Sequence, residues 1–164
     1  MEAELAVRVI VNLATVAWAT GEVLMRTAAD SRTARAAWTV GLLLIQVHVL
    51  IAFQQIYGWD HEAAIAATVV QSEARFGLGW RGAIYINYAF LAIWTADVLW
   101  WWVAPVSRAA RAGWLEMTRF AIFAFMFVNG AVIFASGIGR AVGVCAVSAV
   151  LIAALLPRRR PFPV

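Results

Sequence analysis

The chain has 164 residues, 64% of them hydrophobic, and only 13% are Asp, Glu, Lys or Arg. Soluble domains carry about 25% charged residues, so a soluble chain of this composition would expose more apolar surface than water tolerates. A membrane helix needs about 20 mainly apolar residues, which leaves room for five or six spans and for no separate soluble domain. The net charge of +4 lies in short loops, where arginines orient membrane helices, so we expect no nucleic-acid partner.

Five apolar runs follow one another along the chain. We therefore predict an all-α, polytopic transmembrane helix bundle that forms a single domain over residues 1–156. The spans are expected at about 5–25, 36–57, 82–104, 117–136 and 138–156. The last two runs are continuous in hydropathy, so a bundle of four spans is the alternative. Two glycines and an arginine between Ser136 and Arg140 favour a tight hairpin at that point.

The distribution of arginine, which supplies all 13 basic residues, predicts the orientation of the bundle. Two loops and the tail are rich in arginine: Arg26, Arg32 and Arg35; Arg108, Arg111 and Arg119; Arg158, Arg159 and Arg160. The intervening loops have only Arg75 and Arg81, and Arg140. The positive-inside rule then places the N-terminus outside and the basic tail, residues 157–164, in the cytoplasm. A composition rich in Ala, Val, Gly and Arg favours a bacterial inner membrane.

The first run follows an acidic N-terminus, Met1 to Glu4, so we interpret it as a retained span and not as a cleaved signal. Between the second and third spans, Asp60 and Gly77 are typical helix-capping residues. They predict a short amphipathic helix near 61–76 that lies flat in the outer interface. The alternative is that this helix folds over the bundle as a lid.

Polar residues inside a membrane are costly and need a structural or functional reason. The candidates are Asn12, Glu22 and Arg26 on the first span, His48 and Gln55 on the second, Asn87 and Asp97 on the third, and Asn129 on the fourth. Together with Arg8 and Thr15, the first three form one helical stripe that is expected to face other helices. Asp97 and Glu22 should lie at a depth similar to Arg26, Arg108 and Arg119, and we predict a buried cluster there.

Two interpretations of these residues stay open. The cluster is either a set of ion pairs that fixes the helix register or a proton or substrate site. His48 is either a neutral hydrogen-bonding residue or a proton relay. No catalytic residues, metal site or cofactor are predicted, and an enzyme is the less favoured class. His48 and His61 are 13 residues apart, which is about 20 Å on one helix, too far to hold a heme between them.

Three functions fit this pattern. The first is an accessory or assembly subunit that packs against other membrane subunits or against copies of itself. The second is a small transporter, channel or proton-relay component that uses Asp97, Glu22 and His48. The third is a protein that binds a lipid or another hydrophobic ligand in a pocket lined by Trp94, Tyr85 and Tyr88 under the outer helix.

Overall fold

The structure, a computed structural model, describes residues 2–27 and 31–156. All regular structure in this part of the chain is helical. The elements are α1 (Glu2–Thr27), α2 (Ser31–Gln55), α3 (His61–Phe76), α4 (Ala83–Val103), α5 (Pro105–Ala109), α6 (Gly113–Phe127), a π-helical turn (Val128–Ile133) and α7 (Gly137–Leu155). The predicted basic tail at 157–164 lies outside the described residues.

Five of these helical segments are long and apolar enough to cross a membrane. They are α1, α2, α4, α6 with its π turn, and α7. The chain is thus a multi-pass helical membrane protein, and the predicted five-span bundle is confirmed. Two spans begin four or five residues earlier than their apolar runs: α2 at Ser31 instead of 36, and α6 at Gly113 instead of 117. A charged residue lowers the hydropathy directly before each apolar run, Arg35 in α2 and Glu116 in α6, but it does not interrupt the backbone hydrogen bonds of the helix.

The last long apolar run is divided into two helices, as the glycines predict. Ser136 is fully extended, with φ −141° and ψ 162°, and Gly137 has a positive φ of 55°. This left-handed conformation has a low cost only for glycine, so the chain can reverse here within two residues. The alternative of four spans is therefore wrong for the described chain.

Helix α3 has both predicted caps. The Asp60 carboxylate accepts hydrogen bonds from the backbone N–H of Glu62 (2.8 Å) and Ala63 (3.2 Å), and Gly77 ends the helix with a φ of 69°. One edge of the helix packs on the bundle: Ala64 and Ile65 are buried against α4 in a small apolar cluster. Helix α3 thus lies across one end of the bundle, and one side of it is covered by protein, as a lid would be.

Helix α1 packs most extensively on α2 and on α7, and α2 also packs on α4. Glycines permit the closest approaches. A Cβ atom on Gly143 would lie 2.0 Å from the carbonyl oxygen of Ala131 in the π turn. A Cβ atom on Gly41 would lie 2.8 Å from the Trp94 ring. No larger side chain fits at either position without displacing its neighbour.

The middle of the bundle is filled by six aromatic side chains that we call the aromatic layer: Trp18, Trp38, Phe90, Trp94, Phe123 and Phe127. Trp18 stacks on Phe127 with ring centroids 4.1 Å apart, and Trp38 lies 4.7 Å from Phe123. The indole N–H groups of all three tryptophans are buried and have no acceptor within the described residues. Ring packing therefore holds this layer together, and hydrogen bonds do not.

Candidate functional site

Two polar regions lie on opposite sides of the aromatic layer. Four helices share one order of residues: an uncharged polar residue, then an aromatic residue, then a charged residue. Along α1 the order is Thr15, Trp18 and Glu22; along α4 it is Asn87, Trp94 and Asp97. Helices α2 and α6 have the opposite order along the chain, with the charged residue first. The ten residues from Asn87 to Asp97 correspond to about 15 Å of helix. Asp97 and Glu22 therefore lie in one region, which we call the charge cluster, and His48 and Asn87 lie in the other, which is a cavity.

Asp97 is bound by arginines that follow it in sequence. The Arg108 guanidinium donates to both carboxylate oxygens, from Nε to Oδ1 at 3.0 Å and from Nη2 to Oδ2 at 2.7 Å. Arg111 adds a contact of 3.8 Å to Oδ1. Asp97 is 8% exposed and Arg108 5% exposed. Pro105 starts the short helix α5 directly after α4, which turns the chain back and brings Arg108 to the carboxylate.

Glu22 is fully buried and pairs with Arg119 of α6 through both oxygens, one of them 3.2 Å from Nη2. Arg26 lies one turn along α1, with its Nε 4.0 Å from Glu22. Arg119 also donates to Glu116, from Nη2 at 2.8 Å and from Nε at 3.2 Å. Glu116 in turn accepts from Arg111. The two carboxylates predicted to meet are thus joined through a chain of arginines and Glu116.

Aromatic rings cover the arginines of the charge cluster. Arg108 lies 3.7 Å from the centroid of the Trp101 ring, Arg119 lies 4.9 Å from that of Trp38, and Arg26 lies 4.6 Å from that of Phe120. Cation–π contacts of this kind contribute most where water is excluded.

Between the spans, burial lowers the pKa of Arg108, and its hydrogen bond to Asp97 opposes this effect. Burial and the nearby charges of Arg108 and Arg119 lower the pKa of Arg111 to about 10. Arg111 therefore stays charged at neutral pH. The charge cluster has its acids and bases in mutual contact, and this arrangement links α1, α4, α5 and α6.

The second region is a cavity of about 880 Å³ beneath α3. Its walls are predominantly apolar and its inner end is closed by Phe90 and Phe127 of the aromatic layer. The polar lining residues come from five elements: Thr15 from α1, His48 from α2, Thr68, Gln71 and Ser72 from α3, Asn87 from α4, and Asn129 from the π turn.

The cavity is covered at one end and open at the side. Phe76 of α3 contacts Phe134 beyond the π turn, with ring centroids 5.6 Å apart, and so closes the top. Ile86 of α4 and Phe125 of α6 line the cavity and are also 39% and 57% exposed. The open side therefore lies between α4 and α6, where a membrane helix faces lipid.

The π turn forms part of the cavity wall. Asn129, Gly130 and Ala131 all line the cavity, and the Asn129 amide donates to the Phe125 carbonyl at 2.8 Å. A π turn widens a helix locally and is frequent at functional sites. On its other side the turn is held by the close contact of Ala131 with Gly143.

The predicted pocket residues lie elsewhere. Trp94 is fully buried in the aromatic layer, and Tyr85 is 57% exposed. The Tyr88 hydroxyl lies 3.1 Å from Nδ1 of His61, at the outer surface. Helix α3 covers the described cavity, but the residues of α4 that line it are Ile86, Asn87 and Phe90.

The other candidate residues, Asn12, Gln55 and Arg8, lie outside both the charge cluster and the cavity. Asn12 packs against Gly139 of α7, whose Cβ position lies 3.3 Å from the Asn12 oxygen. Gln55 is exposed at the end of α2, and Arg8 is exposed on α1 instead of facing other helices. The Arg8 position is near the helix end, where a long side chain can reach the headgroups.

Sequence reasoning did not select Glu116 or Gln71. Glu116 precedes Arg119 by three residues, a spacing that brings the two side chains together on a helix, so this signal was present. Gln71 becomes part of a site only because α3 folds over the bundle. Within the part of the chain that the structure describes, no three side chains of His, Cys, Asp and Glu converge as a metal site requires.

The chain matches no protein-family model, no curated protein sequence and no solved structure.

Proposed function

We propose that this protein binds a hydrophobic ligand, taken from the bilayer, in the cavity beneath α3. The observation that carries the proposal is the cavity itself: about 880 Å³ of space beneath α3, bounded by Phe90 and Phe127 of the aromatic layer. Small-molecule sites measure about 300–1,000 Å³ and combine mainly apolar walls with a few placed polar groups. The walls of the cavity follow this pattern, and the open side between α4 and α6 supports entry from lipid.

The charge cluster supports a proton or ion pathway less well. Its carboxylates are each bound by arginine, so a mobile proton or cation would have to displace a buried guanidinium. The aromatic layer also separates Glu22 and Asp97 from His48, because Trp18 and Trp94 are fully buried between them. The second hypothesis needs a continuous polar path, and this layer interrupts it.

The test is photolabelling with a diazirine-bearing hexadecane that has no polar head, on protein reconstituted into phosphatidylcholine nanodiscs. Labels are expected on residues 83–91 and 125–134, which form the two walls of the open side. Ser72→Trp places a large ring in the cavity, since Ser72 is a lining residue and only 9% exposed; it should abolish these labels. Val70→Trp is the matched control, because Val70 lies on the same helix and is 65% exposed. Equal labelling of both variants would contradict the proposal.

A role as a subunit is the second candidate, and a groove between α1 and α7 favours it. The groove measures about 650 Å³ and has small apolar walls that include Ala19, Ala141, Ala146 and Ala149. Such surfaces let another membrane helix approach closely. Cys145 lies in this groove and is exposed. A short bis-maleimide should therefore link two copies through Cys145 if the partner is a second chain, and the Cys145→Ser variant should not be linked.

We further propose the bacterial inner membrane as the location, with the N-terminus outside and the C-terminus in the cytoplasm. The support is the arginine distribution along the chain, which places the charge cluster at the cytoplasmic end and α3 at the outer end. In a Cys145→Ser background, an impermeant maleimide should label Glu73→Cys on intact cells and should label Ala109→Cys only after lysis. Both positions are exposed. The reverse result would invert the topology.

A further inference from the structure

The polar groups of the cavity differ in whether they are still free to bind a ligand. The hydroxyl groups of Thr15, Thr68 and Ser72 each donate to a carbonyl of their own helix, at 2.8 to 2.9 Å. The side-chain amides of Asn87 and Gln71 have no partner among the described residues. The hydroxyl protons are therefore used within their own helices, whereas the amides of Asn87 and Gln71 are free both to donate and to accept.

His48 presents an acceptor to the cavity. Its Nδ1 atom lies 3.0 Å from the backbone carbonyl oxygen of Val7. A carbonyl oxygen can only accept, so Nδ1 carries the proton of the neutral imidazole. Its other ring nitrogen, Nε2, is then unprotonated and accepts a hydrogen bond. His48 is the one imidazole among the described lining residues.

The cavity carries no fixed charge. None of the lining residues that the structure describes is Asp, Glu, Lys or Arg. An ionised headgroup would therefore be buried without a counterion, which is strongly unfavourable in an apolar environment. The buried acids and bases that the structure describes lie in the charge cluster, beyond the aromatic layer. The lack of charged lining residues therefore disfavours the binding of ligands with phosphate, carboxylate or ammonium groups.

We propose that the ligand is an uncharged amphiphile with a hydroxyl head, such as a long-chain or isoprenoid alcohol. Its hydroxyl donates to Nε2 of His48 and accepts from the amide of Asn87 or Gln71. Its apolar body lies between α4 and the π turn, at the side that is open to lipid. This inference rests on the proposed function and specifies the chemistry of the same site.

The test compares three 16-carbon diazirine probes in phosphatidylcholine nanodiscs, with hydroxyl, carboxylate and trimethylammonium heads. The alcohol should label residues 83–91 and 125–134 at least about fivefold more than either charged probe. His48→Phe removes the acceptor and should lower labelling by the alcohol about tenfold, the size of one buried hydrogen bond. Val47→Phe is the matched control, because Val47 is its neighbour and is 42% exposed. His48→Gln supplies a carbonyl acceptor and should restore part of the labelling.

A second measurement uses the wild-type chain and does not depend on the folding of a variant. The sequence has 2 histidines, so protein labelled with ¹⁵N-histidine gives four ring-nitrogen resonances. Hexadecanol should shift the Nε2 resonance of His48 toward the hydrogen-bonded position and leave His61 unchanged. An unmoved His48 signal, with the cavity labelled, would overturn the role of His48.

The outcomes separate this inference from the proposed function. Equal labelling of the cavity by all three heads and by headless hexadecane would overturn the inference and leave the proposed function standing. A preference for a charged head would overturn the inference in the same way. If no probe labels the walls of the cavity, both fail.

Discussion

The two halves of this bundle differ in whether their polar residues have partners. In the charge cluster, Glu22 and Asp97 are bound by arginines, and aromatic rings fill the space around the guanidinium groups. In the cavity, the side-chain amides of Asn87 and Gln71 are exposed and have no partner within the described residues. A polar residue in a membrane helix is therefore not by itself a functional residue. The mutual pairing of the first group indicates stability, and the free groups of the second indicate a binding site.

The largest effect is expected from breaking the charge cluster. Glu22→Ala removes one of the two carboxylates that bind the buried Arg119, with Glu116 as the other, and should lower the free energy of unfolding by about 3 kcal/mol. Thermal unfolding in a mild detergent measures this change. The double variant Glu22→Met with Arg119→Met is the control: it removes both charges and should recover most of the loss. A loss of less than about 1 kcal/mol in Glu22→Ala would mean that the pair is not buried.

The second-largest change in stability is expected where α7 contacts the π turn. Gly143→Ala places a methyl group where the Ala131 carbonyl oxygen lies, 2.0 Å from the Cβ position. We expect a loss of about 1–3 kcal/mol from overpacking and a change in hexadecane labelling of residues 125–134. Gly130→Ala is the matched control, since nothing lies within 4 Å of its Cβ position. Equal stability of the two variants would contradict the close contact.

A smaller effect is expected at the edge of the charge cluster. Arg111→Met removes a cation that lies 3.8 Å from Asp97 and donates to Glu116, while the contacts of Arg108 with Asp97 and of Arg119 with Glu116 remain. Burial already disfavours its charged form, since its pKa is lowered to about 10. The loss should be about 1 kcal/mol, measured by the same unfolding assay. Arg108→Met is the comparison and should cost clearly more; the opposite order would mean that Arg111 is the principal partner of Asp97.

The smallest change in stability is expected in the cavity. Asn87→Leu removes an amide that has no hydrogen-bond partner among the described residues, so the free energy of unfolding should change by no more than about 0.5 kcal/mol. The same variant should reduce labelling by the diazirine-bearing alcohol. A large loss of stability would show that Asn87 is a structural residue, and the contrast between the two halves would then not hold.

The five spans and the caps of α3 follow from the sequence because they depend on local properties. Hydropathy over about 20 residues specifies a span, and Asp60 and Gly77 act on the backbone next to them. The meeting of Glu22, Asp97 and the arginines was also predictable, because the positive-inside rule places them at one depth.

The walls of the cavity were not predictable in this way. The sequence pattern placed Trp94, Tyr85 and Tyr88 in a pocket, whereas the structure buries Trp94 and leaves Tyr85 exposed. An aromatic residue on a membrane helix serves equally well in a core, at lipid or in a pocket, so residue type does not decide between them.

What the sequence alone determined is therefore the membrane class and the number of spans, because both depend on the free energy of transferring a continuous run of residues from water to lipid. What only the tertiary structure decided is which polar groups find partners. That depends on the rotation of each helix about its axis, on the change of chain direction at Pro105 and on the packing of α3 against the bundle. These features arise from packing between residues far apart in the chain, and they separate a closed ion-pair cluster from an open cavity.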